Sequence, residues 1–532
     1  MSARQVKFCG WGYEGEGLDA TEEKLVLGTV AARFGVDGFE RKAAPKPDDI
    51  TLPAPRVAAP GDLAGLVSAD HRDRLLHTYG QSYPDYVRMF ARDFAHAPDL
   101  VGHPESEEDV AALIDWAGGA NVAVIPFGGG TSVVGGVEPA VGDGFAAVMS
   151  LDLTGLDRVL EIDRASRAVR VQGGMRTPAL EAALKPHGLT LRHFPQSFEM
   201  ATVGGMIATR SGGHFATLYT HIDDFVEATR SVTGAGIMET RRLPGSGAGP
   251  SPDRLMIGSE GSLGVITEAW LRLQDRPTHR ASTAILFDDF FAAAECVRQI
   301  AQSGLYPANT RLLDQNEALV NGFGDGRRSV VVLGFESHDH PVDAWMNRGL
   351  EICRANGGHY DAEAARDPEG HKQGAAGAWR SAFIKMPHFR TAQVANAIIS
   401  DTFETAITWD RFREFHENVM AATTRALHDA TGRAGIVTCR FTHAYPDGAA
   451  PYYSFHALGR HGALMEQWTE IKKRASDAVI EHGGTITHHH AVGRDHMPWY
   501  ARQRPALFGA ALKAVKGTLD PHGIFNPGVV VT

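Results

Sequence analysis

Cysteine is scarce in this sequence and long apolar runs are absent, and each shortage disfavours a class of protein. Only four cysteines occur in 532 residues, and they lie far apart at Cys9, Cys296, Cys353 and Cys439. Without a C-x-x-C pair, disulfide scaffolds, zinc ribbons and iron–sulfur clusters are disfavoured, and we expect buried thiols in a reducing cytoplasm. No run of about 18 apolar residues, signal-peptide core or peroxisomal Ser-Lys-Leu end is visible, so we expect no membrane span.

An excess of basic residues is also lacking. The formal net charge is −11, with 52 lysines and arginines against 63 acidic residues. Nucleic-acid-binding proteins need a basic surface, so we expect no nucleic-acid partner, although a local basic pocket for a phosphorylated substrate stays open. Hydrophobic residues make up 43% and charged residues 22%, an ordinary globular mix, and the length predicts two or three domains.

Glycine is concentrated in one loop, residues 126–136, which reads Pro-Phe-Gly-Gly-Gly-Thr-Ser-Val-Val-Gly-Gly. It follows the apolar run 122–125, and a strand that opens into glycines brings bare backbone N–H groups together, which binds diphosphates. The loop lacks the Gly-Lys-Ser/Thr of a Walker motif, and Val133 stands where a G-x-G-x-x-G motif needs its third glycine. Taken alone, the loop is equally consistent with a tight turn that binds nothing.

Two later segments rich in small residues favour the diphosphate interpretation. Residues 195–205 read Pro-Gln-Ser-Phe-Glu-Met-Ala-Thr-Val-Gly-Gly, and residues 258–268 read Gly-Ser-Glu-Gly-Ser-Leu-Gly-Val-Ile-Thr-Glu. Three such loops in this order resemble the FAD-binding domain of the vanillyl-alcohol-oxidase flavoprotein superfamily. The resemblance implies that the first loop wraps the diphosphate of FAD, the second crosses near the isoalloxazine, and the third lies along the flavin and the ribityl chain.

The predicted FAD contacts are Pro126, Phe127, Gly128, Gly129, Gly130, Thr131, Ser132, Gln196, Ser197, Phe198, Glu199, Met200, Ala201, Thr202, Thr209, Arg210, Ser211, Gly212, Glu260, Gly261, Ser262, Leu263, Gly264, Val265 and Ile266. The segment 210–214 reads Arg-Ser-Gly-Gly-His, which resembles the motif that carries covalent flavin in some relatives. Here it follows the second loop, and Thr131 and Ser132 stand in the first loop where the covalent histidine is expected. We therefore expect non-covalent FAD.

The predicted fold class is α+β, with a two-subdomain FAD-binding domain of the vanillyl-alcohol-oxidase (PCMH) type and an α+β cap over the substrate. Short β-branched strands alternate with helices and glycine turns along the chain, and residues 411–431 and 462–482 are typical of amphipathic helices. We expect an N-terminal arm with helices (1–93), the FAD domain (94–276), the cap (277–500) and a C-terminal segment that returns to the FAD domain (501–532).

His488, His489 and His490 follow the strand-like segment 483–487. On a strand, side chains alternate between faces, so His488 and His490 would share one face. Two imidazoles on one face can bind a metal, but no H-E-x-x-H motif or nearby acidic ligand set accompanies them. Histidine titrates near neutral pH, so we favour acid–base chemistry and expect no metal; solvated histidines at a strand end are the alternative.

Three further side chains are candidates for the site, although each has an ordinary structural interpretation. Tyr452 can donate a proton and orient a substrate, but aromatic residues in strands more often serve packing. Arg311 and Arg390 can grip a phosphate or carboxylate, but surface salt bridges are commoner.

Nearly the whole chain resembles the alkyldihydroxyacetonephosphate (alkylglycerone-phosphate) synthase family. The matching motifs are Gly-Trp-Gly-Tyr at 10–13, Phe-Glu-Thr at 403–405, Trp-Asp-Arg at 409–411, Cys-Arg-Phe-Thr-His at 439–443, and Thr-His-His-His-Ala-Val-Gly at 487–493. The family exchanges the acyl chain of acyl-dihydroxyacetone phosphate for a fatty alcohol, which makes the ether bond of ether lipids. No net electrons move, and flavin N5 is thought to hold the dihydroxyacetone phosphate fragment as an adduct.

The resemblance also implies residue roles. Tyr452 would be the acid–base residue, and His488, His489 and His490 would transfer protons. Arg390 would hold the phosphate, and Arg311 would lie by the flavin and the substrate. The implied partners are an amphiphilic phospholipid precursor and a fatty alcohol; peripheral membrane contact and a homodimer stay open.

Departures from the family pattern keep other functions open. Ser454 stands where the family has an aromatic residue, and the segment 359–380 matches poorly. The first alternative is an FAD-linked oxidoreductase of D-2-hydroxy acids of the lactate or glycolate type. The second is a non-catalytic flavin-binding or membrane-associated interaction protein.

Overall fold

The computed structural model describes residues 4–321, 326–360 and 386–531, so most of the poorly matching segment 359–380 lies outside the described residues. The strands are β1 (Val67–Ser68), β2 (Leu100–Gly102), β3 (Val122–Phe127), β4 (Ala147–Asp152), β5 (Val159–Asp163), β6 (Ala168–Gln172), β7 (Leu189–Thr190), β8 (Val226–Thr233), β9 (Gly236–Glu239), β10 (Val265–Arg272), β11 (Gln274–Asp275), β12 (His279–Phe287), β13 (Asn309–Leu313), β14 (Ser329–Ser337), β15 (Ile398–Glu404), β16 (Ile407–Thr408), β17 (Ile436–Ala444) and β18 (Gly448–Leu458).

The helices are α1 (Ala20–Phe34), α2 (His71–Leu76), α3 (Tyr83–Ala91), α4 (Glu107–Gly119), α5 (Thr177–Leu184), α6 (Val203–Thr209), α7 (Asp253–Met256), α8 (Phe290–Ala301), α9 (Gln315–Val320), α10 (Asp343–Ala355), α11 (Phe389–Ala395), α12 (Trp409–Thr431), α13 (Leu464–Glu481), α14 (Met497–Gln503) and α15 (Ala506–Leu519). Helices and strands mix throughout, which confirms the α+β prediction. The two predicted amphipathic helices are α12 and α13. No helix in the described ranges has the length and apolarity needed to cross a bilayer.

The first sheet positions the glycine loop. Its strand order is β1-β2-β4-β3, and β3 and β4 run parallel. All of β3 is buried except the half-buried Pro126, as expected for a parallel strand covered on both faces. The glycine loop begins where β3 ends, at the carboxyl edge of the sheet, which is where open parallel sheets place ligands. The C-terminal segment returns to this sheet, where Val124 donates its N–H to Ile524 O at 2.8 Å.

The second sheet carries the other two small-residue loops. It is antiparallel with the order β5-β6-β10-β8-β9. The Thr202 side chain caps α6 by accepting the N–H of Gly205 at 3.3 Å, which begins that helix directly after the second loop. The third loop leads straight into β10, so both loops are fixed by regular elements at their ends.

The third sheet belongs to the predicted cap. It is antiparallel with the order β12-β14-β13-β17-β18-β15, and β16 pairs with β18. Helices α8, α12 and α13 contribute Val297, Phe415 and Ile471 to a large apolar core against this sheet. The side chains of Arg311, Arg440 and Tyr452 on β13, β17 and β18 line a cavity.

Candidate active site

A cavity of about 1020 Å³ lies between the three small-residue loops and the third sheet. This volume lies at the upper end of the usual range for a ligand pocket, about 300–1,000 Å³. The predicted residues on its wall are Pro126, Phe127, Gly128, Gly129, Gly130, Thr131, Ser132, Gln196, Ser197, Ala201, Thr202, Thr209, Ser211, Gly212, Glu260, Gly261, Gly264, Val265, Ile266, Arg311, Arg390, Tyr452, His489 and His490.

The first loop packs so closely on the second that it has no room for a side chain at Gly128 or Gly129. A Cβ atom at Gly129 would lie 1.9 Å from Met200 O, and one at Gly128 would lie 2.2 Å from Thr202 Oγ1. Bare backbone therefore lines this end of the cavity, and exposed N–H groups of this kind are what a diphosphate needs. The residues present fit FAD.

Several predicted FAD contacts do not line the cavity: Phe198, Glu199, Met200, Arg210, Ser262 and Leu263. Met200 supports the glycine loop through its carbonyl, and Arg210 forms an ion pair with Asp223 at 2.8 Å. Glu260 lies on the wall, but its carboxylate accepts the N–H groups of Val492 and Gly493 at 2.7 and 2.8 Å. Burial raises the pKa of Glu260 to about 7. This residue links the third loop to the segment that follows the histidines.

Tyr452 lies at the centre of the cap side of the cavity. Its hydroxyl donates to Thr402 Oγ1 at 3.0 Å, and the guanidinium of Arg440 lies 3.9 Å from the centre of its ring. The ring of His489 stacks on it with centroids 5.9 Å apart, and His490 meets it edge-on at 5.4 Å. Burial raises the pKa of Tyr452, while Arg440 opposes the shift. The phenol is therefore protonated at neutral pH and serves as a hydrogen-bond donor.

The histidine triplet does not extend a strand, which corrects the strand prediction for residues 483–487. The segment is an irregular loop, and the backbone N–H groups of His488, His489 and His490 all point at the carboxylate of Glu404. Strand alternation therefore does not apply here. His489 and His490 line the cavity, while His488 lies behind them.

The histidine rings form a hydrogen-bonded chain. His488 Nδ1 lies 2.9 Å from His489 Nδ1, and His488 Nε2 lies 2.7 Å from the hydroxyl of Tyr445. His443 lies close to both rings and donates Nε2–H to Gly213 O at 3.1 Å. Burial lowers the pKa values of His443, His488 and His489 well below the usual value. Neutral imidazoles are competent proton acceptors.

Three of these histidines also satisfy the geometry of a metal site. Nitrogen atoms of His443, His488 and His489 lie within 4.8 Å of one another. In the sequence only His488 and His489 of this group are adjacent, and the fold brings His443 close to them. In this structure His443 hydrogen-bonds to Gly213 O and His488 hydrogen-bonds to the hydroxyl of Tyr445. Hydrogen bonds of this kind between rings and protein groups are typical of a proton-transfer network.

Three arginines line the cavity on the cap side. Arg311 is fully buried and donates to His214 O at 3.2 Å, and burial lowers its pKa to about 9. Arg390 forms an ion pair with Asp401 at 3.1 Å through Nη1. Within the described residues no hydrogen bond uses the Nε or Nη2 of Arg390, so these atoms are available to an anion. Arg440, which the sequence pattern did not single out, pairs with the buried Glu317.

The N-terminal arm closes part of the cavity. Trp11, in the Gly-Trp-Gly-Tyr motif, is buried on the wall and lies 3.4 Å from Glu199 through its indole nitrogen. Helix α1 adds Val26, Val30 and Phe34 to an apolar side of the cavity. The exposed side chains of Leu25, Leu319 and Val320 also line the cavity, and Arg33 of α1 donates to Asn316 of α9 at 3.2 Å, which brings these two helices together.

Sequence reasoning did not assign roles to Arg440, His443, Glu404, Tyr445 and Trp11. Four of them lie inside the motifs quoted above, and Tyr445 lies two residues beyond the Cys-Arg-Phe-Thr-His motif, so the motifs were a signal. The hydrogen-bond partners of these residues come from distant parts of the chain, which a linear pattern does not reveal.

Two family sequence models match the chain. The model described as "FAD binding domain" matches residues 98–241, and the one described as "FAD linked oxidases, C-terminal domain" matches residues 276–530. The alkyldihydroxyacetonephosphate synthase of Dictyostelium discoideum is 29% identical over 86% of this chain and 77% of the relative. The enzyme of the same name from Caenorhabditis elegans is 28% identical over 98% and 94%.

Other relatives carry oxidase names. The glycolate oxidase subunit GlcD of Bacillus subtilis is 27% identical over 86% of this chain and 92% of the relative. Among solved structures, an alkyldihydroxyacetonephosphate synthase superposes with a TM-score of 0.81 at 24% identity, covering 98% of this chain and 97% of the other. p-Cresol methylhydroxylase superposes with a TM-score of 0.68 at 14% identity, covering 88% and 94%.

These matches confirm the predicted PCMH-type fold and the predicted cofactor. The chain belongs to the FAD-linked oxidase superfamily and is an FAD-dependent enzyme.

Proposed function

We propose that this protein is an alkylglycerone-phosphate synthase, which exchanges the acyl chain of acyl-dihydroxyacetone phosphate for a fatty alcohol. One observation carries the proposal: Tyr452, His489, His490, Arg311 and Arg390 line the same cavity as the flavin loops. The relatives of that name, similar along most of the chain, support it. An acid–base cluster and an anion-binding arginine facing one flavin are what the exchange requires.

The residue roles follow from the contacts. Arg390, held by Asp401, orients the phosphate through its remaining N–H groups, and the buried charge of Arg311 lies on the same wall. Tyr452 keeps its proton and donates a hydrogen bond to the departing acyl oxygen. His489 and His490 are neutral and accept the proton of the incoming alcohol. In the exchange the bond between C1 of the dihydroxyacetone fragment and the acyloxy oxygen breaks, and a bond between that carbon and the oxygen of the alcohol forms. The acid leaves as a carboxylate, and one proton is released.

When bound, FAD supplies the covalent catalysis that allows one group to leave before the other enters. The protein surrounds that chemistry with the buried side chains of Arg311, Arg440 and Tyr452 on the cap side of the cavity.

The apolar side of the cavity suits the hydrocarbon chains. Helix α1 lines it, and the exposed Leu25, Leu319 and Val320 also line the cavity. We infer that lipid substrates enter here and that this side makes peripheral contact with a membrane. Flotation with liposomes tests it: the protein rises with the vesicles, and Leu25→Glu reduces the bound fraction. Wild-type protein that stays at the bottom of the gradient contradicts the inference. A homodimer stays a prediction, for analytical ultracentrifugation to test.

A D-2-hydroxy acid oxidoreductase is the second candidate, favoured by the similarity to a glycolate oxidase subunit. It differs in its electron balance, because such an enzyme reduces its flavin and passes the electrons to an acceptor.

One experiment separates the two. The flavin spectrum is recorded under anaerobic conditions after addition of palmitoyl-dihydroxyacetone phosphate, with D-lactate in a parallel cuvette. The proposal predicts loss of the oxidised bands with the lipid, recovery on addition of a fatty alcohol, and an ether product by mass spectrometry. Bleaching with D-lactate alone, and no ether product, would establish the oxidoreductase instead.

A further inference from the structure

Glu404 is the last residue of β15, and its carboxylate is almost completely shielded from solvent. The loop 487–490 wraps around it. Glu404 accepts the hydroxyl of Thr487 at 2.6 Å and the N–H of His490 at 2.8 Å. It also accepts the N–H of His489 at 3.2 Å and that of His488 at shorter range. A single carboxylate thus organises the backbone of all three histidines.

The position of Glu404 in the sheet places the histidine loop beside Tyr452. Glu404 on β15 pairs with Tyr452 on β18, and Tyr452 pairs with Arg440 on β17. The three residues form one row across the sheet. The histidine loop, which comes from a different part of the chain, is therefore bound next to Tyr452.

Glu404 also influences the protonation of the neighbouring histidines. Burial disfavours its ionised form, but the neighbouring His490 and His488 and the donors of the loop hold its pKa well below the usual range. Its oxygens lie 3.6 Å from the Nδ1 atoms of His489 and His490. For His490, burial lowers the pKa, and the charge of Glu404 opposes that shift. The carboxylate favours the protonated imidazole that a general base becomes.

We propose that Glu404 is the positioning residue of this site: its carboxylate holds the loop of His488, His489 and His490 against Tyr452. The proposal rests on the proposed function for the identity of the reaction, but the geometry of the loop does not depend on the substrate. Glu404 touches neither substrate nor flavin in this role.

Two variants separate its effects. Glu404→Gln keeps the shape and removes the charge, and Glu404→Asp keeps the charge on a shorter side chain. Glu181→Gln is the matched control, because Glu181 is a buried carboxylate that accepts a threonine hydroxyl and the backbone N–H of Leu191, away from the cavity wall. All are prepared as FAD-loaded protein.

The first measurement is hydrogen–deuterium exchange of the peptide that contains residues 487–493, which needs no substrate. Glu404→Gln is expected to exchange faster there than wild type, and Glu181→Gln is expected to match wild type.

The second measurement is the pH dependence of ether formation. In Glu404→Gln we expect kcat to fall roughly 100-fold at nearly unchanged KM. The acid limb of the curve of kcat against pH should move to lower pH, because loss of the negative charge of Glu404 lowers the pKa of His490. Glu404→Asp should keep the acid limb.

Wild-type exchange of the loop together with an unmoved acid limb in Glu404→Gln would overturn the proposal. If that variant loses FAD or does not fold, Thr487→Val takes its place, because it removes one donor to Glu404 and one acceptor for the N–H of His490. A normal loop in Thr487→Val would then overturn it. If wild type forms no ether, the proposed function fails. The exchange data and the pH profile of hydroxy-acid oxidation then decide the role of Glu404.

Discussion

At the scale of single residues, the site works by keeping neutral bases and a protonated acid side by side. Burial lowers the pKa values of His489 and His490 and raises that of Tyr452. Each of these groups is therefore in the protonation state that its proposed role needs at neutral pH. Tyr452 is held by Thr402 and Arg440, which fixes the position of its ring.

Tyr452→Phe removes the donor and leaves the ring. We expect FAD content to stay within error and kcat to fall about 10²–10⁴-fold, the usual contribution of acid–base catalysis. His490→Ala should lose turnover and keep FAD as well. The flavin absorbance relative to protein and the rate of ether formation measure both effects, and full activity in either variant removes that residue from the site.

Tyr445→Phe tests the chain of hydrogen bonds behind the site. The proton released in each exchange has a route from His489 to His488 and on to the half-buried Tyr445. Loss of one hydrogen bond of about 1 kcal/mol predicts a fall in kcat of up to roughly tenfold. Imidazole buffer, a mobile proton carrier, should restore part of the rate. A rate indifferent to buffer concentration would speak against a relay.

At the scale of elements, the cofactor end of the cavity depends on loops that pack backbone against backbone. The first loop leaves β3 and immediately meets the second, where Gly129 has no room for a Cβ beside Met200 O. Regular elements hold each loop at one end, so the close approach is a fixed feature rather than a chance contact.

Gly129→Ala should therefore displace the loop. Overpacking of this kind costs about 1–3 kcal/mol, and the shifted N–H groups should bind FAD more weakly. Gly119→Ala is the control, because a Cβ at Gly119, at the end of α4, meets nothing within 4 Å. FAD content after gel filtration and the midpoint of thermal unfolding measure both. Equal FAD content in the two variants would mean that the loop tolerates a side chain.

At the scale of the whole molecule, a buried histidine ties the glycine loop to the N-terminal region. His77 on the first turn after α2 lies 3.1 Å from Asp152 Oδ2 at the end of β4, and its ring contacts that of Phe127. Burial lowers its pKa, but hydrogen bonds to Asp152 and Asp73 outweigh that effect and raise it to about 9.

Stability should therefore depend on pH. The folded state binds the proton of His77 more tightly than the unfolded chain, whose histidine pKa is about 6.5. The contribution is complete below about pH 6.5 and is lost as the pH rises through about 9, a change of about 3 kcal/mol at most. Urea unfolding at several pH values measures it. His77→Gln should lack this slope, and His428→Gln, at an exposed position on α12, should retain it. Equal slopes in wild type and His77→Gln would contradict the assignment.

The sequence by itself determined the mixed pattern of helices and strands and the glycine loop, because those features depend on local chemistry, while the cofactor followed from the resemblance of the three loops to a flavoprotein superfamily. Glycines beside a buried strand leave backbone N–H groups bare wherever the chain goes, and the 3.6-residue apolar period predicts α12 and α13 without any partner. The prediction failed at 483–487, where a strand-like pattern folds into a loop that leads to Glu404.

Only the tertiary structure decided that Glu404, Arg440 and His443 join the site and that the Trp11 arm closes it. These contacts join segments separated by tens to hundreds of residues. Their geometry depends on the register that pairs Glu404, Tyr452 and Arg440 across the sheet, and on the need of the buried Glu404 carboxylate for hydrogen-bond donors. Neither can be deduced from residues that are adjacent in the sequence.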